Sequence, residues 1–554
     1  MGVYLNSRNP FGLFQDEAAA AYFIDKSGIL EELIPLADSG GQCGTPGEKS
    51  NKYICITRPR RFGKTLAASM IASFFGKGAD SRELFQRLRI GKSEHFEAHI
   101  NKHQVICVNF QEIPSNCTSY RQYITRIEKR LRSDLRKAYP EAAIGEKEAV
   151  WDILSELYEA EENARFIFVL DEWDYIFHRT FVTDKEKADF LEFLSNLLKG
   201  KSYVELAYMT GILPIAKYSS GSELNMFYEY TMASEEKYSE YFGFTDQEVD
   251  ELFLRYQSRY WKTENVSREG LRMWYDGYHT KSGERVYNPR SVVAALTNNN
   301  LGNYWTSSGP YDEIFYYVKE NIEAVRDDLA LLVSGMSVPA KIREYAATSM
   351  NLNTKDEIFS AMVVYGFLNY EEGTVSIPNK ELMDRFSEML QKEPSLGYVH
   401  RLAAESARML RATKAGDADT MAAILEYTHD MESPLLYYNH ETELTMIVNM
   451  AYLSARDQYR IEREDKAGIG YVDFIFYPIK RDDDCLILEL KVDHTPEEAI
   501  QQIKDRRYAL KFGQKPGGLP EYTGRILAVG IAYSKEEKKH SCKVEVLKDR
   551  IISI

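Results

Sequence analysis

Residues 53–65 read Tyr-Ile-Cys-Ile-Thr-Arg-Pro-Arg-Arg-Phe-Gly-Lys-Thr, and no other stretch constrains the fold as strongly. Residues 54–57 are a short apolar, β-branched run, which reads as a buried strand. A loop follows, then Gly63-Lys64-Thr65, then an apolar helix over 66–75. Strand, loop, Gly-Lys-Thr and helix, in that order, describe a phosphate-binding loop. Backbone N–H groups of Arg58, Pro59 to Gly63 (Arg60, Arg61 and Phe62 between, Pro59 shaping the turn without a donor) and the helix N-terminus would cradle the phosphates. Lys64 would reach the β/γ-phosphates of ATP, and the Thr65 hydroxyl would ligate Mg²⁺. Arg58 stands where the usual pattern has Gly, so a bulky residue must fit the turn.

A second apolar run, 166–170, ends in Asp171-Glu172. Asp171 at a strand end is placed to hold Mg²⁺, and Glu172 to polarise an attacking water. A third strand, 204–210, ends at Thr210, read either as a γ-phosphate sensor or as a plain strand-end hydroxyl.

The other end carries different chemistry. Helix 441–455, strands 459–464 and 471–477, strand 485–492 and helix 499–512 are expected there, then strands 525–533 and 542–547. Period two puts Glu489 and Lys491 on one face of their strand. Asp473 on the neighbouring strand can meet Glu489 across the ladder. Two carboxylates and the backbone carbonyl of Leu490 suit Mg²⁺, which takes oxygen ligands. Lys491 would orient the attacking water and offset charge in the transition state of phosphodiester cleavage. The competing reading is an inactive structural remnant.

Composition narrows the rest. With 554 residues the chain needs several cores. The net charge of −15 argues against a protein that coats nucleic acid, while leaving room for a local basic groove. Six cysteines include no C-x-x-C, which speaks against structural zinc, and Cys55, Cys107 and Cys485 read as buried thiols. No apolar run reaches the roughly 18 residues of a membrane span, and no secretory leader is visible, so a cytoplasmic protein without membrane contact is expected. Helix 121–137 sets Arg126, Lys129, Arg130 and Lys137 opposite Ile127, Leu131 and Leu135. That is a solvated amphipathic face or a DNA-facing stripe. Trp274, Tyr275 and Tyr278 read as packing. In the middle, Thr354 and Glu357 form a helix-start pair, a hairpin turns at Glu372-Gly373, and another helix spans 379–390. Helix, hairpin, helix resembles a winged-helix module.

Several motifs recur in a recognisable order: Phe23-Ile-Asp-Lys-Ser-Gly28, the 57–65 loop, Leu170-Asp-Glu-Trp-Asp174, Thr210-Gly-Ile-Leu-Pro-Ile-Ala-Lys217, Tyr241-Phe-Gly-Phe-Thr245, Trp274-Tyr-Asp-Gly-Tyr278 and Tyr287-Asn-Pro289. Together they resemble a bacterial family of AAA-ATPase-like proteins, in which Arg58 is the family pattern. Lys217 and the serines at 219–222 match a Lys/Ser-rich stretch of that family, read here as a surface loop. The far end resembles the PD-(D/E)XK nuclease superfamily: Glu441 matches its first-helix acid, Asp473 and Glu489 its metal carboxylates, Lys491 its lysine, and Gln502 with Tyr508 its following helix. The basic run usual before the first Asp is Gly468-Ile-Gly-Tyr471 here. The resemblances imply an α/β chain with a P-loop AAA-like core (1–310), a helical, winged-helix-like connector (311–431) and a restriction-endonuclease-like domain (432–554). They imply ATP-regulated, Mg²⁺-dependent cleavage of nucleic acid, DNA first, with a homo-oligomer left open. The alternative is an ATP-driven signalling or scaffold protein whose C-terminal domain only binds nucleic acid or a protein partner.

Overall fold

The computed structural model describes residues 2–37, 52–160, 164–215, 223–232, 235–260, 265–305, 318, 321–342, 352, 354–429, 441–467, 470–512 and 522–548. The chain folds into two units, Met1–Ile314 with Pro339–Glu381, and Phe315–Val338 with Leu382–Ile554. Lys217 and residues 219–222 lie outside the described residues, as do Ile469 and its neighbour Gly468.

The first unit is built on a five-stranded sheet ordered β2-β3-β4-β1-β5. Its strands are β1 (Tyr53–Thr57), β2 (Gln104–Asn109), β3 (Phe166–Asp171), β4 (Val204–Gly211) and β5 (Tyr228–Tyr230). Every pairing is parallel. Parallel sheets are covered on both faces, which is why these strands read as unbroken apolar runs. Alternation sorts their side chains. Tyr53, Cys55, Phe166, Phe168 and Leu170 enter one core with Leu131, Leu135 and Leu194. Ile54, Ile56, Ile167 and Val169 enter the other with Phe14, Leu30 and Met70. The C-terminal strand ends then form one row, with Asn109 beside Asp171, Asp171 beside Thr210, and Thr210 beside Ile56.

Smaller elements back this row. Strands β6 (Tyr278–His279) and β7 (Arg285–Val286) pair antiparallel. The chain leaves the unit and returns at β8 (Val338–Pro339). Helix Lys355–Tyr365 begins with the expected Thr354/Glu357 capping box. Strands β9 (Asn369–Glu371) and β10 (Thr374–Ser376) then form a hairpin. Glu372 and Gly373 take φ of 46° and 85°, the left-handed pair that a two-residue hairpin turn requires. Asn369 Nδ2 contacts His279 Nδ1 at 2.9 Å, and Tyr278 Oη donates to the Gly366 carbonyl at 2.9 Å.

The stretch 311–431, expected as one connector, is divided between the two units, with the division inside helix Lys380–Lys392. Glu381 explains the attachment of the preceding residues. Its carboxylate accepts from Ser291 Oγ at 2.7 Å and from Trp305 N at 2.5 Å, both in the first unit.

The second unit has the sheet order β11-β12-β13-β14-β15. The strands are β11 (Tyr459–Ala467), β12 (Gly470–Pro478), β13 (Cys485–Val492), β14 (Ile526–Ser534) and β15 (Lys539–Lys548). Only β13 and β14 are parallel, and helix Pro496–Asp505 is their crossover. Gly530 leaves no room for a Cβ against the Pro496 carbonyl, so the helix seats directly on β14. The expected helix 499–512 is shorter than read, because Arg507 takes φ 54° and a 3-10 turn, Tyr508–Phe512, follows. Helix Glu441–Ala451 likewise ends before 455, and a 3-10 turn takes over at Leu453. No helix among the described residues is long and apolar enough to cross a membrane.

Candidate functional site

The phosphate loop joins β1 to helix Lys64–Phe75. Gly63 sits at the helix N-cap with φ 95°, a conformation that favours glycine. Arg58 fits the turn because its side chain is buried away from it. Its Nη1 donates to the carbonyls of Thr57 (2.8 Å) and Tyr230 (2.7 Å), and the guanidinium lies over the Phe242 ring. Phe62 is buried and meets Tyr278 edge to face. Pro59 packs against Gly366, whose hypothetical Cβ would come within 2.7 Å of it. The aromatic motif residues Tyr275 and Tyr278 are therefore packing residues, as expected.

Lys64 is almost wholly buried, with Nζ donating to the carbonyls of Arg58 and Pro59, each at 3.1 Å. Glu172 Oε1 lies 3.9 Å from it. Asp171 is buried, and its Oδ2 accepts from Asn109 Nδ2 at 3.0 Å. Its Oδ1 has no hydrogen-bond partner within the usual geometry. Burial, then the Glu172 charge, pushes the Asp171 carboxyl up to about 7, while Thr65 and Lys64 pull it down. A buried carboxylate oxygen without a protein partner, beside a threonine hydroxyl and a lysine, suits Mg²⁺. Glu172 holds φ 52°, unusual for a side chain of its size, and this turns it out of the strand line toward Lys64. Arg60 and Arg61 lie within the loop. Burial, then repulsion from Arg290 and Arg60, holds Arg61 below the usual guanidinium range.

Thr210, read as a γ-phosphate sensor or a strand-end hydroxyl, bonds within the sheet. Its hydroxyl donates to the Ile56 carbonyl of the neighbouring strand at 2.9 Å. Residue types on single strands did not reveal three other members of the site. Asn109 orients Asp171 across the ladder. Asp174 is buried, and its Oδ2 accepts from the N–H groups of Ile212 (3.1 Å) and Leu213 (2.8 Å). Arg290, just after the Asn288 helix cap, adds positive charge near Arg61. The available signals were polar residues at the ends of apolar runs and a basic residue beside a motif.

The second site lies at the end of the β12–β13 ladder. Pairing runs through Phe474↔Leu488, which sets Asp473 opposite Glu489 and their side chains on one face. Asp473 Oδ2 accepts from Leu490 N at 2.7 Å. Glu489 is buried at 3% exposure, and its Oε1 accepts from Lys491 Nζ at 3.2 Å and from Gln502 Nε2. Its Oε2 has no hydrogen-bond partner. Burial, then Asp473, pushes the Glu489 carboxyl up to about 7, against the pull of Lys491 and Arg506. Arg506 was not foreseen; it follows helix Pro496–Asp505, and its Nη1 donates to Tyr508 Oη at 3.3 Å. Helix Glu441–Ala451 packs against β13, and the Glu441 side chain lies outside the described residues. No group of three or more His, Cys, Asp or Glu that could hold a metal occurs among the described residues. Asp473 and Glu489 thus supply two carboxylates, a donor set that suits Mg²⁺ with retained waters.

Comparison with known proteins finds a separate family match at each end of the chain. Residues 44–220 match the family model described as "Predicted AAA-ATPase". Residues 441–541 match that of the PD-(D/E)XK nuclease superfamily. An uncharacterized protein in the vnfD 5' region of Azotobacter chroococcum mcd 1 is 23% identical over 546 residues, covering 93% of this chain and 94% of its own. Among solved structures, the Walker-type ATPase PABY2304 of Pyrococcus abyssi is similar at 12% identity and TM-score 0.35, over 65% of this chain and 94% of its own. The Aeropyrum pernix ORC2 protein, in its ADPNP–ADP complexes, is similar at 12% identity and TM-score 0.34, over 70% and 98%.

Proposed function

We propose that this chain, which joins an AAA-ATPase-like domain to a PD-(D/E)XK nuclease superfamily domain, binds and hydrolyses ATP to regulate Mg²⁺-dependent cleavage of nucleic acid. The observation that carries the reading is the group formed by Asp473, Glu489, Lys491 and Gln502, with a buried Glu489 oxygen that no protein atom satisfies.

At the nucleotide end, the loop N–H groups and the start of helix Lys64–Phe75 receive the phosphates. Lys64 exchanges the carbonyls of Arg58 and Pro59 for phosphate oxygens. Thr65 and Asp171 would hold the metal, Asn109 keeps Asp171 oriented, and Glu172 orients and deprotonates the attacking water. At the other end, Asp473, Glu489 and the Leu490 carbonyl would hold the metal. Gln502 steadies Glu489, and Lys491 orients the water and offsets charge as the phosphodiester opens. At both ends Mg²⁺ would supply neutralisation of phosphate charge. Regulation requires nucleotide to favour one arrangement of the chain over another. A bias of about 3 kcal/mol changes the active fraction roughly a hundredfold.

The test is cleavage of plasmid and of DNA and RNA oligonucleotides by the intact chain, with Mg²⁺, with and without ATP. Metal-dependent products lost in Asp473→Asn and Lys491→Ala are expected, with the ATP response lost in Lys64→Ala. Equal rates in wild type and Lys64→Ala would refute regulation. No cleavage of any substrate would favour the scaffold reading.

A further inference from the structure

Helix Tyr120–Ala138 of the first unit carries seven Lys and Arg against two acids, in a chain whose net charge is −15. The two acids are already engaged. Glu128 pairs with Arg132 at 3.6 Å, and buried Asp134 accepts from Tyr4 N at 2.7 Å. One side of the helix lines an open concavity of about 770 Å³. Arg121, Arg126, Lys129 and Arg130 line it, and the rest of the lining is Ser, Thr and Gln. None of the four cations forms an ion pair with a described residue. Arg126 donates to the Glu112 backbone carbonyl at 3.1 Å and Arg130 bonds the Tyr4 hydroxyl, both neutral acceptors.

We propose that this concavity is a docking surface for the phosphate backbone of duplex DNA. A solvated face in an acidic protein normally interleaves the two signs of charge, and this one presents cations and hydroxyl or amide groups alone. Those side-chain types are the ones that contact phosphates. Arg121 to Arg130 spans about 13 Å of helix. Over that axial length one strand of B-form DNA presents about four phosphates, a match to the four cations. The lining contains no aromatic ring, so a single strand would find no stacking platform. The contact proposed is with the phosphate backbone, which carries no sequence information. The surface extends the proposed action on nucleic acid to the first unit, yet its test requires no cleavage.

The test is fluorescence anisotropy with a labelled DNA duplex, the intact chain and EDTA, so that a failed nuclease reading leaves the result intact. Arg121→Glu with Lys129→Glu alters two exposed side chains. Affinity should fall at least about tenfold, and the slope of log K against log salt should shrink by about 2. The control, Lys185→Glu with Lys281→Glu, changes charge equally at two other exposed sites of the unit and should leave affinity within about threefold. Unchanged ATP binding verifies that the variants fold. Equal losses in both variants, no binding by wild type at low salt, or tighter binding of single strands or duplex RNA would each overturn the proposal.

Discussion

Gly211→Ala probes the contact between the end of β4 and the Trp173-Asp174 segment that follows β3 at the nucleotide site. Gly211 ends β4 and has no left-handed φ, so its backbone would accept alanine. Space would not. An added Cβ would press on Asp174 Oδ1 and come within 2.5 Å of Trp173 Cδ1. Trp173 is fully buried and its Nε1 donates to the Leu213 carbonyl at 3.2 Å. Overpacking of this kind costs about 2 kcal/mol, and loss of the indole hydrogen bond adds about 1 kcal/mol. The expected destabilisation is therefore about 3 kcal/mol. Gly200→Ala is the comparison: φ is 67° with nothing within 4 Å, so only backbone strain of about 1 kcal/mol arises. All five tryptophans fall within Met1–Ile314, so tryptophan fluorescence during urea unfolding reports the first unit alone. Because the Gly211 carbonyl accepts from Arg58 N at 3.2 Å, ATP affinity should also weaken, by about tenfold or 1.4 kcal/mol. A Gly211→Ala protein as stable as wild type, or more stable than Gly200→Ala, would refute the steric argument.

Three further outcomes are expected. Thr210→Val should leave ATP affinity within about threefold and lower first-unit stability by about 1 kcal/mol, because its hydroxyl serves the Ile56 carbonyl; equilibrium binding and urea unfolding check this. Lys64→Ala should abolish ATP binding, read by calorimetry, whereas Glu172→Gln should bind and hydrolyse slowly, read by phosphate release. The third concerns pH. Burial and Asp473 raise the Glu489 carboxyl from 4.5 to about 7, so in metal-free protein the unfolded chain loses that proton first. Second-unit stability then falls as pH rises from about 4.5 to 7 and stays lowered above, a displacement worth roughly 3 kcal/mol. Glu489→Gln should recover most of that at pH 8 and none at pH 4, in urea melts followed by circular dichroism in EDTA. No gain at pH 8 would count against burial as the cause.

Local chemistry made much of this chain legible. A buried parallel strand must be continuously apolar, so 53–57 and 166–171 announce themselves, and the left-handed Gly63 marks where the strand's loop becomes a helix. The Thr354/Glu357 box and the Glu372-Gly373 turn are equally visible, since every partner lies within four residues. Strand period two was enough to put Glu489 beside Lys491. What the sequence could not express was partnership across long separations. Thr210 gives its proton to Ile56, Asn109 holds Asp171, and Asp174 binds the amides of Ile212 and Leu213, each on a different strand or loop. The same limit explains the 311–431 stretch. Its helices and hairpin could be read one by one, but Glu381 is bonded to Ser291, ninety residues earlier, and only the folded chain decides which core covers an amphipathic face. Periodicity and capping arise from neighbours a few residues apart, while register, burial and hydrogen-bond partners depend on which distant segments pack together.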